Sequence, residues 1–255
     1  MQNIFRVKTK MIMPDGETRE CEQSLLKETH LQLNVCGKKL TIVCTNTALK
    51  ELIVGRLFCE GIIGSYGDVE DITISEFDNV KSAEPYAKNS DQGESGNKTI
   101  DKFRPDIVAD LVLKQNEVKT PTYNRDNYNT FSPEDIFEII GSFEDGGDLH
   151  GVTRSAHSCY ISVGGKTVWG CEDISRHNAL DKCIGYMLMN GIESKDCIVY
   201  TSGRVPLDMI TKADQAGIRV LVAKAVPTDK SIEYARENKI VLIARARKDH
   251  FEVFL

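Results

Sequence analysis

The alternation of apolar and polar positions divides the chain into a strand-rich first part and a second part in which strands and helices alternate. The first eight residues alternate and predict a strand, with no apolar core of a secretory leader. Apolar residues at every second position over 31–35 and again over 40–44 predict a β-hairpin with one buried face. The helical spacing of apolar residues over 49–57 predicts a helix that is capped by Thr45-Asn46-Thr47 and ends near Gly61.

In the second part, Ser132-Pro133 predicts a helix start, because serine caps a helix and proline suits its first turn. Further elements follow from the same patterns: strands at 159–163, 168–169, 197–201, 218–223 and 240–244, and helices at 178–190, 206–217 and after Thr228. Strands with short intervening helices predict an α/β fold with a largely parallel sheet covered by helices.

These patterns predict two domains: a smaller strand-rich N-terminal domain at 1–130 and an α/β domain at 131–255. The first domain includes a stretch at 78–102 that is dominated by glycine, serine, asparagine and charged residues. Such a composition cannot bury much apolar surface, so we expect a polar surface insertion there.

Composition narrows the function classes. The chain has 255 residues and 41% hydrophobic residues, which is enough to bury a sizeable core. Its net charge of −6 and sequence pI of about 5.5 argue against a nucleic-acid partner held by bulk electrostatics. No apolar run approaches the roughly 18 residues that a membrane span needs, so we expect a cytoplasmic protein with no membrane partner.

The eight cysteines show no metal-ligand or redox spacing. No C-x-x-C is present for zinc, redox or haem chemistry, and in a reducing compartment we expect free thiols that pack as small hydrophobes. Cys44, Cys159 and Cys183 fall on apolar faces of predicted elements. The acidic residues that follow Cys171 disfavour a thiolate there, so all four cysteines are interpreted as structural.

A first candidate site lies at the start of the helix after Ser175. At about 100° per residue, its polar side chains share an arc of about 140°. These side chains are His177, Asn178, Asp181 and Lys182. With Arg176 they gather at a helix N-terminus, where the dipole and the free N–H groups favour an anion. The pattern alone favours the alternative, a solvated helix face with a capping histidine.

Polar residues that follow predicted strands give further candidates. Ser202-Gly203-Arg204 suits a phosphate or carboxylate, and Thr228 has the same position after the next strand. The alternatives are an ordinary turn and, for Thr228, a helix cap, which the pattern favours. His150 lies between glycines and could act as an acid, a base or a hydrogen-bond donor near neutral pH. The alternative is a histidine that makes a hydrogen bond within a turn.

A basic segment follows the last inner strand. It reads Arg245-Ala246-Arg247-Lys248-Asp249-His250, with three fixed cations and one acid in a chain that is acidic overall. Paired guanidinium hydrogen bonds suit a pyrophosphate. The alternative is a basic surface loop.

These segments together carry a family resemblance. The run Ser-Arg-His-Asn-Ala-Leu-Asp-Lys at 175–182 resembles the G-R-H-N-A-L-D-K signature of the formate dehydrogenase accessory (FdhD) family. Four more matches follow the family's order: Glu51-Leu52 to Glu60-Gly61-Ile62-Ile63, Gly147-Asp148-Leu149-His150, Ser202-Gly203-Arg204-Val205, and Pro227-Thr228 with the basic segment before Phe251. The resemblance covers nearly the whole chain.

The resemblance implies a cytidine-deaminase-like α/β fold for the second domain and a homodimer. It implies a sulfurtransferase that accepts sulfur from a cysteine desulfurase and passes it to the molybdenum bis-(molybdopterin guanine dinucleotide) cofactor. The partner that receives the cofactor is then the catalytic subunit of formate dehydrogenase. The family's cofactor-binding stretch matches residues 245–250. The deaminase signature H-x-E with P-C-x-x-C is absent from the sequence, so we expect no zinc and no other metal ligand set.

The chain departs from the family at its sulfur-carrying C-x-x-C. The corresponding stretch, 120–128, reads Thr-Pro-Thr-Tyr-Asn-Arg-Asp-Asn-Tyr. A persulfide relay needs an accessible thiolate, so two hypotheses follow. Either the protein transfers sulfur with an unconventional thiol or a partner's thiol, or it holds the guanine dinucleotide as a cofactor chaperone without carrying sulfur. In addition, Ser175 replaces the family's usual glycine, which restricts the backbone of that turn.

Overall fold

The computed structural model describes residues 3–76, 105–114, 121–123, 130–146 and 148–254. The polar insertion predicted at 78–102 lies outside the described residues. The elements in chain order are β1 (Ile4–Ile12), β2 (Thr18–Leu26), β3 (Thr29–Val35), β4 (Lys38–Cys44), α1 (Leu49–Cys59), β5 (Val69–Glu76), β6 (Ile107–Leu113), α2 (Pro133–Asp145), α3 (Asp148–Thr153), β7 (His157–Val163), β8 (Lys166–Asp173), α4 (Arg176–Met189), β9 (Cys197–Thr201), α5 (Leu207–Gln215), β10 (Val220–Ala223), α6 (Asp229–Glu237), β11 (Val241–Ala244) and β12 (Glu252–Phe254).

The first part contains a four-stranded sheet in the order β4-β3-β6-β5 and a separate β1–β2 hairpin. The hairpin predicted over 31–44 is confirmed: Leu31 pairs with Ile42, and Leu33 pairs with Leu40. Positive φ angles of 49° and 73° at Cys36 and Gly37 make the tight turn between β3 and β4. The strand predicted at the start of the chain is confirmed as β1.

The second part contains a six-stranded sheet in the order β12-β11-β10-β9-β7-β8. The mixed α/β class is confirmed, whereas the expectation of a largely parallel sheet is wrong. Within this six-stranded sheet, the parallel pairs of the described strands are β9–β10 and β10–β11, whereas β7–β8, β7–β9 and β11–β12 are antiparallel. For β7–β8 the physical reason is the short Gly164-Gly165 turn, because a two-residue connection joins only antiparallel strands.

Helices cover both faces of this sheet. One face packs against α2, and the other packs against α4, α5 and α6. The helix start at Ser132 is confirmed, because Ser132 and Asp135 form a reciprocal capping box on α2. No helix in the described part of the chain is long and apolar enough to cross a membrane.

The helix predicted after the first hairpin is present as α1, but its predicted cap is wrong. Ala48 occupies the N-cap position with a φ of 48° and makes no side-chain cap hydrogen bond. The hydroxyl of Thr45 instead donates to the carbonyl of Glu172, 3.0 Å away, and accepts from Lys182. The polar residues that suggested a helix cap therefore connect the two parts of the chain.

The two parts meet where α1 packs on α4. The contact is close at two glycines, because a Cβ on Gly55 would overlap the backbone carbonyl of Asp181, and a Cβ on Gly185 would overlap that of Glu51. One continuous hydrophobic core extends from the four-stranded sheet through both helices to the six-stranded sheet. The glycines bring the helix backbones close enough for this core to be continuous.

We expect Gly55→Ala to lower the free energy of unfolding by about 1–3 kcal/mol, because the added methyl group meets backbone that cannot rotate away. Denaturant unfolding of the purified protein measures this loss. The matched control is Gly141→Ala in α2, where a Cβ meets nothing within 4 Å. This control should be neutral, or more stable by about 0.5–1 kcal/mol. Equal effects of the two substitutions would contradict close α1–α4 packing.

Candidate functional site

Three of the segments predicted as sites, those that follow β9, β10 and β11, lie along one edge of the six-stranded sheet. The loops after β9, β10 and β11 are joined by backbone hydrogen bonds: Lys224 N–H donates to Thr201 at 2.9 Å, and Arg245 N–H donates to Ala225 at 3.3 Å. A bridge between Val205 and Pro227 joins the first two loops. We call this region the carboxyl edge and define it as residues 201–205, 224–228 and 245–250 together with His157 and Arg176.

The antiparallel strand β7 brings His157 to the carboxyl edge. Ser158 N–H donates to Ser202 Oγ at 2.9 Å, and Ser202 N–H donates to the Ser158 carbonyl at the same distance. His157 was not among the predicted site residues, because the start of β7 lies at this edge only if β7 runs antiparallel to β9. The expectation of a parallel sheet hid that signal.

Arg176, His157 and Gly203 pack together at the centre of the carboxyl edge. A Cβ on Gly203 would lie 3.0 Å from Arg176 Cβ and 3.6 Å from His157 Nδ1. Arg176 Nε is buried and has no hydrogen-bond partner among the described residues. An unpaired buried guanidinium donor is costly, and a bound anion satisfies it. The exposed Arg204 follows directly and has no ion pair within the described ranges.

Two histidines add to the positive character of the edge when protonated. Burial lowers the pKa of His157, and nearby Arg176, His150 and His177 lower it further. Burial likewise lowers the pKa of His177, against the opposing effect of Asp208, whose carboxylate is 3.4 Å from His177 Nε2. Cationic neighbours that disfavour imidazolium are also favourable neighbours for a bound anion.

His150 is oriented by its backbone neighbours. Its Nδ1 lies 2.7 Å from the carbonyl oxygen of Ala156, which can only accept, so Nδ1 carries the proton. The Glu172 carboxylate accepts from the N–H groups of Leu149 and His150, each at 2.8 Å, and from the hydroxyl of Ser158 at 3.3 Å. Glu172 was missed by sequence analysis because its partners are backbone groups distant in sequence.

The basic segment at 245–250 does not form one cationic cluster. Arg247 Nη1 donates to the backbone carbonyls of Lys224 at 2.6 Å and Ala246 at 2.9 Å. Arg247 therefore stabilises the backbone of the loops that follow β10 and β11. Ala246 is buried, whereas Arg245, Lys248, Asp249 and His250 are exposed. Arg245 Nη1 lies 3.5 Å from Glu252. Of the predicted cations, Arg245 and Lys248 therefore face solvent.

Thr228 caps α6, as the pattern favoured. Its side chain accepts from Ser231 N–H in a capping box. Its backbone N–H donates to the Val205 carbonyl at 3.2 Å and helps to join the loops of the carboxyl edge.

Asn178, Asp181 and Lys182 contact protein rather than solvent. The interpretation of their arc as a solvated helix face is wrong, because α1 and the Thr45 segment cover it. Asp181 contacts Lys212 at 2.6 Å and Arg56 Nε at 3.1 Å. Asn178 donates to the Val43 carbonyl at 2.7 Å. All three side chains are almost fully buried.

The Asp173 carboxylate is the centre of this buried network. It pairs with Lys182 Nζ at 2.7 Å, and both side chains are 0% exposed. It also accepts from the backbone N–H groups of Thr45 and Ser175, each at 3.1 Å, and from Asn178 Nδ2 at 2.9 Å. Asp173 therefore fixes the first turn of α4, which begins with Arg176.

Of the stretch at 120–128, the structure describes residues 121–123, and these three lie at the opposite edge of the sheet. Tyr123 and Ser194 both pack against Gly217, near the starts of β9 and β10. A cavity of about 540 Å³ there is lined by Cys59, Pro121, Tyr123 and Arg219, among others. Burial, and then Asp181, raises the pKa of the Cys59 thiol, so this cysteine is not a ready thiolate.

We expect Lys182→Met to lower the free energy of unfolding by about 3–5 kcal/mol, because it leaves the buried Asp173 carboxylate without its cation. Denaturant unfolding measures the change. The control is Lys230→Met, which removes one partner of an exposed ion pair with Glu233 and should leave stability unchanged within error. A small loss for Lys182→Met would show that Asp173 is not the structural centre.

Known proteins to which this chain is similar belong to one family. Residues 26–255 match the sequence model of the FdhD/NarQ family. A sulfur carrier protein FdhD from Bacillus licheniformis is 28% identical over 247 residues, covering 94% of this chain and 91% of that protein. A protein FdhD from Methanocaldococcus jannaschii is 38% identical over 121 residues, covering 47% of this chain and 53% of that protein.

The fold agrees with a solved structure. A crystal structure of a protein assigned as a formate dehydrogenase accessory protein, from Desulfotalea psychrophila, matches with a TM-score of 0.75 at 20% identity. The match covers 99% of this chain and 96% of that protein. The similarity in fold and the family match over most of the chain agree with the signature at 175–182, and the chain belongs to the FdhD/NarQ family.

Proposed function

We propose that the protein is an accessory factor for formate dehydrogenase maturation. It binds the molybdenum bis-(molybdopterin guanine dinucleotide) cofactor as cargo at the carboxyl edge and assists its sulfuration with sulfur from a cysteine desulfurase. Relatives described as sulfur carrier proteins FdhD align with about nine-tenths of this chain, which supports the sulfur role.

The observation that carries the proposal is the unpaired Nε of Arg176 beside Gly203. The absence of a Cβ at Gly203 lets the aliphatic part of the Arg176 side chain pack directly against this residue, and His157 and His177 lie nearby. A diphosphate presents several anionic oxygens, and a guanidinium with adjacent N–H groups is suited to binding them. The exposed Arg204 and Arg245 supply further cations on the same edge.

Several finer proposals accompany this function. The partners are the desulfurase that supplies sulfur and the catalytic subunit of formate dehydrogenase, which receives the cofactor. A homodimer and a cytidine-deaminase-like fold for the second domain are kept as proposals from the family resemblance. All eight cysteines are free thiols, which supports a reducing compartment, and we propose the cytoplasm.

A second candidate function is a cofactor chaperone that binds the guanine dinucleotide without carrying sulfur. The absence of cysteine from 120–128 supports it, because that stretch would carry the family's cysteine pair. The two functions share the carboxyl edge as binding site and differ only in whether any thiol of the chain accepts sulfur.

We expect Arg176→Gln to weaken guanosine diphosphate binding at least about tenfold, because a hydrogen bond to a charged group contributes about 1.5–3 kcal/mol and 1.4 kcal/mol corresponds to tenfold. Isothermal titration calorimetry of the full chain with guanosine diphosphate measures the change. We expect Arg245→Ala to weaken binding as well, since its side chain is exposed beside the same loops.

The control is Arg19→Gln, which removes an exposed guanidinium on the β1–β2 hairpin, 3.7 Å from Glu17 and in a different sheet from the strands that lead into the carboxyl edge. Its affinity should equal that of the unchanged chain. Equal affinities for Arg176→Gln, Arg245→Ala and the control would place the diphosphate elsewhere. No binding by the unchanged chain would reject the proposed nucleotide site.

A further inference from the structure

Three thiols meet in the core between β7, β8 and α4. Cys159 and Cys171 are direct cross-strand neighbours in the β7–β8 hairpin. Cys183, on α4, has its sulfur 4.0 Å from that of Cys171, and Cys159 is the third thiol of the group. Within the described ranges, no group of three histidine, cysteine or acidic side chains is placed to hold a metal ion.

Cys171 differs from the other two thiols in its access to a cavity. It is 9% exposed, whereas Cys159 and Cys183 are 0% exposed. It lines a cavity of about 1060 Å³ together with Thr47, Trp169 and Glu172. Donors and small cofactors occupy cavities of this order. Cys171 is therefore the thiol of the group that a donor reaches first.

The acids beside Cys171 are already paired. Asp173 forms its ion pair with Lys182, and Glu172 accepts three hydrogen bonds from Leu149, His150 and Ser158. Both carboxylates are therefore occupied by protein partners. Through Ser158 and Ser202, the Glu172 contact also connects the Cys171 cavity to the carboxyl edge.

We propose that Cys171 is the thiol that accepts sulfur in this chain and that Cys183 is its resolving partner. The assignment rests on the proposed sulfur-carrier function and supplies the thiol that 120–128 lacks. It departs from the expectation that both cysteines are purely structural.

The chemistry balances in two steps. The Cys171 thiolate attacks the terminal sulfur of a donor persulfide, the donor S–S bond breaks, and the donor leaves as a thiolate while Cys171 holds a persulfide. The Cys183 thiolate then attacks the Cys171 sulfur. A Cys171–Cys183 disulfide forms, and the terminal sulfur leaves as hydrosulfide with both electrons of the broken bond. A small-molecule thiol reductant returns the disulfide to two thiols.

The full burial of the Cys183 thiol slows the second step. Burial raises the pKa of the Cys183 thiol well above its ordinary value, and its thiol neighbours raise it further. A protonated thiol is a poor nucleophile, so the Cys171 persulfide persists before Cys183 releases its sulfur.

The test uses glutathione persulfide as the probe and the full chain in a background with Cys21→Ser and Cys36→Ser, which removes two thiols on the hairpins of the first part. Mass spectrometry of the intact chain and of its peptides measures the added sulfur. We expect one added sulfur atom on Cys171. Cys171→Ala should abolish that adduct, and Cys183→Ala should lengthen its lifetime and prevent the disulfide.

The matched control is Cys197→Ala. Cys197 is 1% exposed, and its thiol donates to the Glu193 carbonyl at 3.3 Å, just as Cys171 donates to the Ala179 carbonyl at 3.3 Å. This variant should keep the adduct on Cys171. Circular dichroism melting checks that each variant is folded, and the peptide map of the background chain decides the site even where a variant does not fold.

The remaining outcomes separate the two proposals. Sulfur on another cysteine, with none on Cys171, overturns the assignment and keeps the sulfur-carrier function. An adduct on Cys171 with the same lifetime in Cys183→Ala overturns the resolving role. No sulfur on any cysteine of the folded chain overturns both the assignment and the sulfur-carrier function, and favours the chaperone.

Discussion

The rest of the structure depends on the buried Asp173 carboxylate and the hydrogen bonds that it accepts. It is fully buried and accepts hydrogen bonds from both parts of the chain, through Thr45 on one side and Ser175 and Asn178 on the other. Its cation, Lys182, is equally buried. A buried carboxylate is stable only when its oxygen atoms accept hydrogen bonds or contact a cation. The hydrogen bonds of Asp173 therefore require α1 and α4 to keep their packing.

This constraint has a functional consequence at the start of α4. Asp173 receives the backbone N–H of Ser175, and Arg176 follows as the first residue of the helix. The stability network and the candidate anion site therefore share one turn of backbone. The side chains that follow Arg176 lie in two different environments. His177 lies beside Asp208 near the carboxyl edge, whereas Asp181 and Lys182 contact α1 and the Thr45 segment.

Much of the fold follows from local sequence, and much of the site does not. The hairpin over 31–44 and the caps at Ser132 and Thr228 were predicted because their signals lie within a few residues. The polar arc of α4 was misinterpreted, since its partners Thr45 and Arg56 are more than 100 residues away in sequence. His157 and Glu172 were missed because their positions depend on strand direction and on backbone donors. Neither leaves a pattern in the sequence.

The same distinction applies to the cationic segment at 245–250. The segment contains three cations, but the Arg247 guanidinium donates to backbone carbonyls. The guanidinium nitrogen that is buried without a hydrogen-bond partner belongs instead to Arg176. A site of this kind depends on which donors lack a partner, not on how many positive charges are adjacent in sequence.

The most direct measurement of the central claim is a crystal structure of the full chain with guanosine diphosphate bound. The account predicts the diphosphate at the carboxyl edge, within hydrogen-bond distance of Arg176 and beside Gly203. A diphosphate bound at the opposite edge, in the cavity lined by Pro121 and Tyr123, would contradict it.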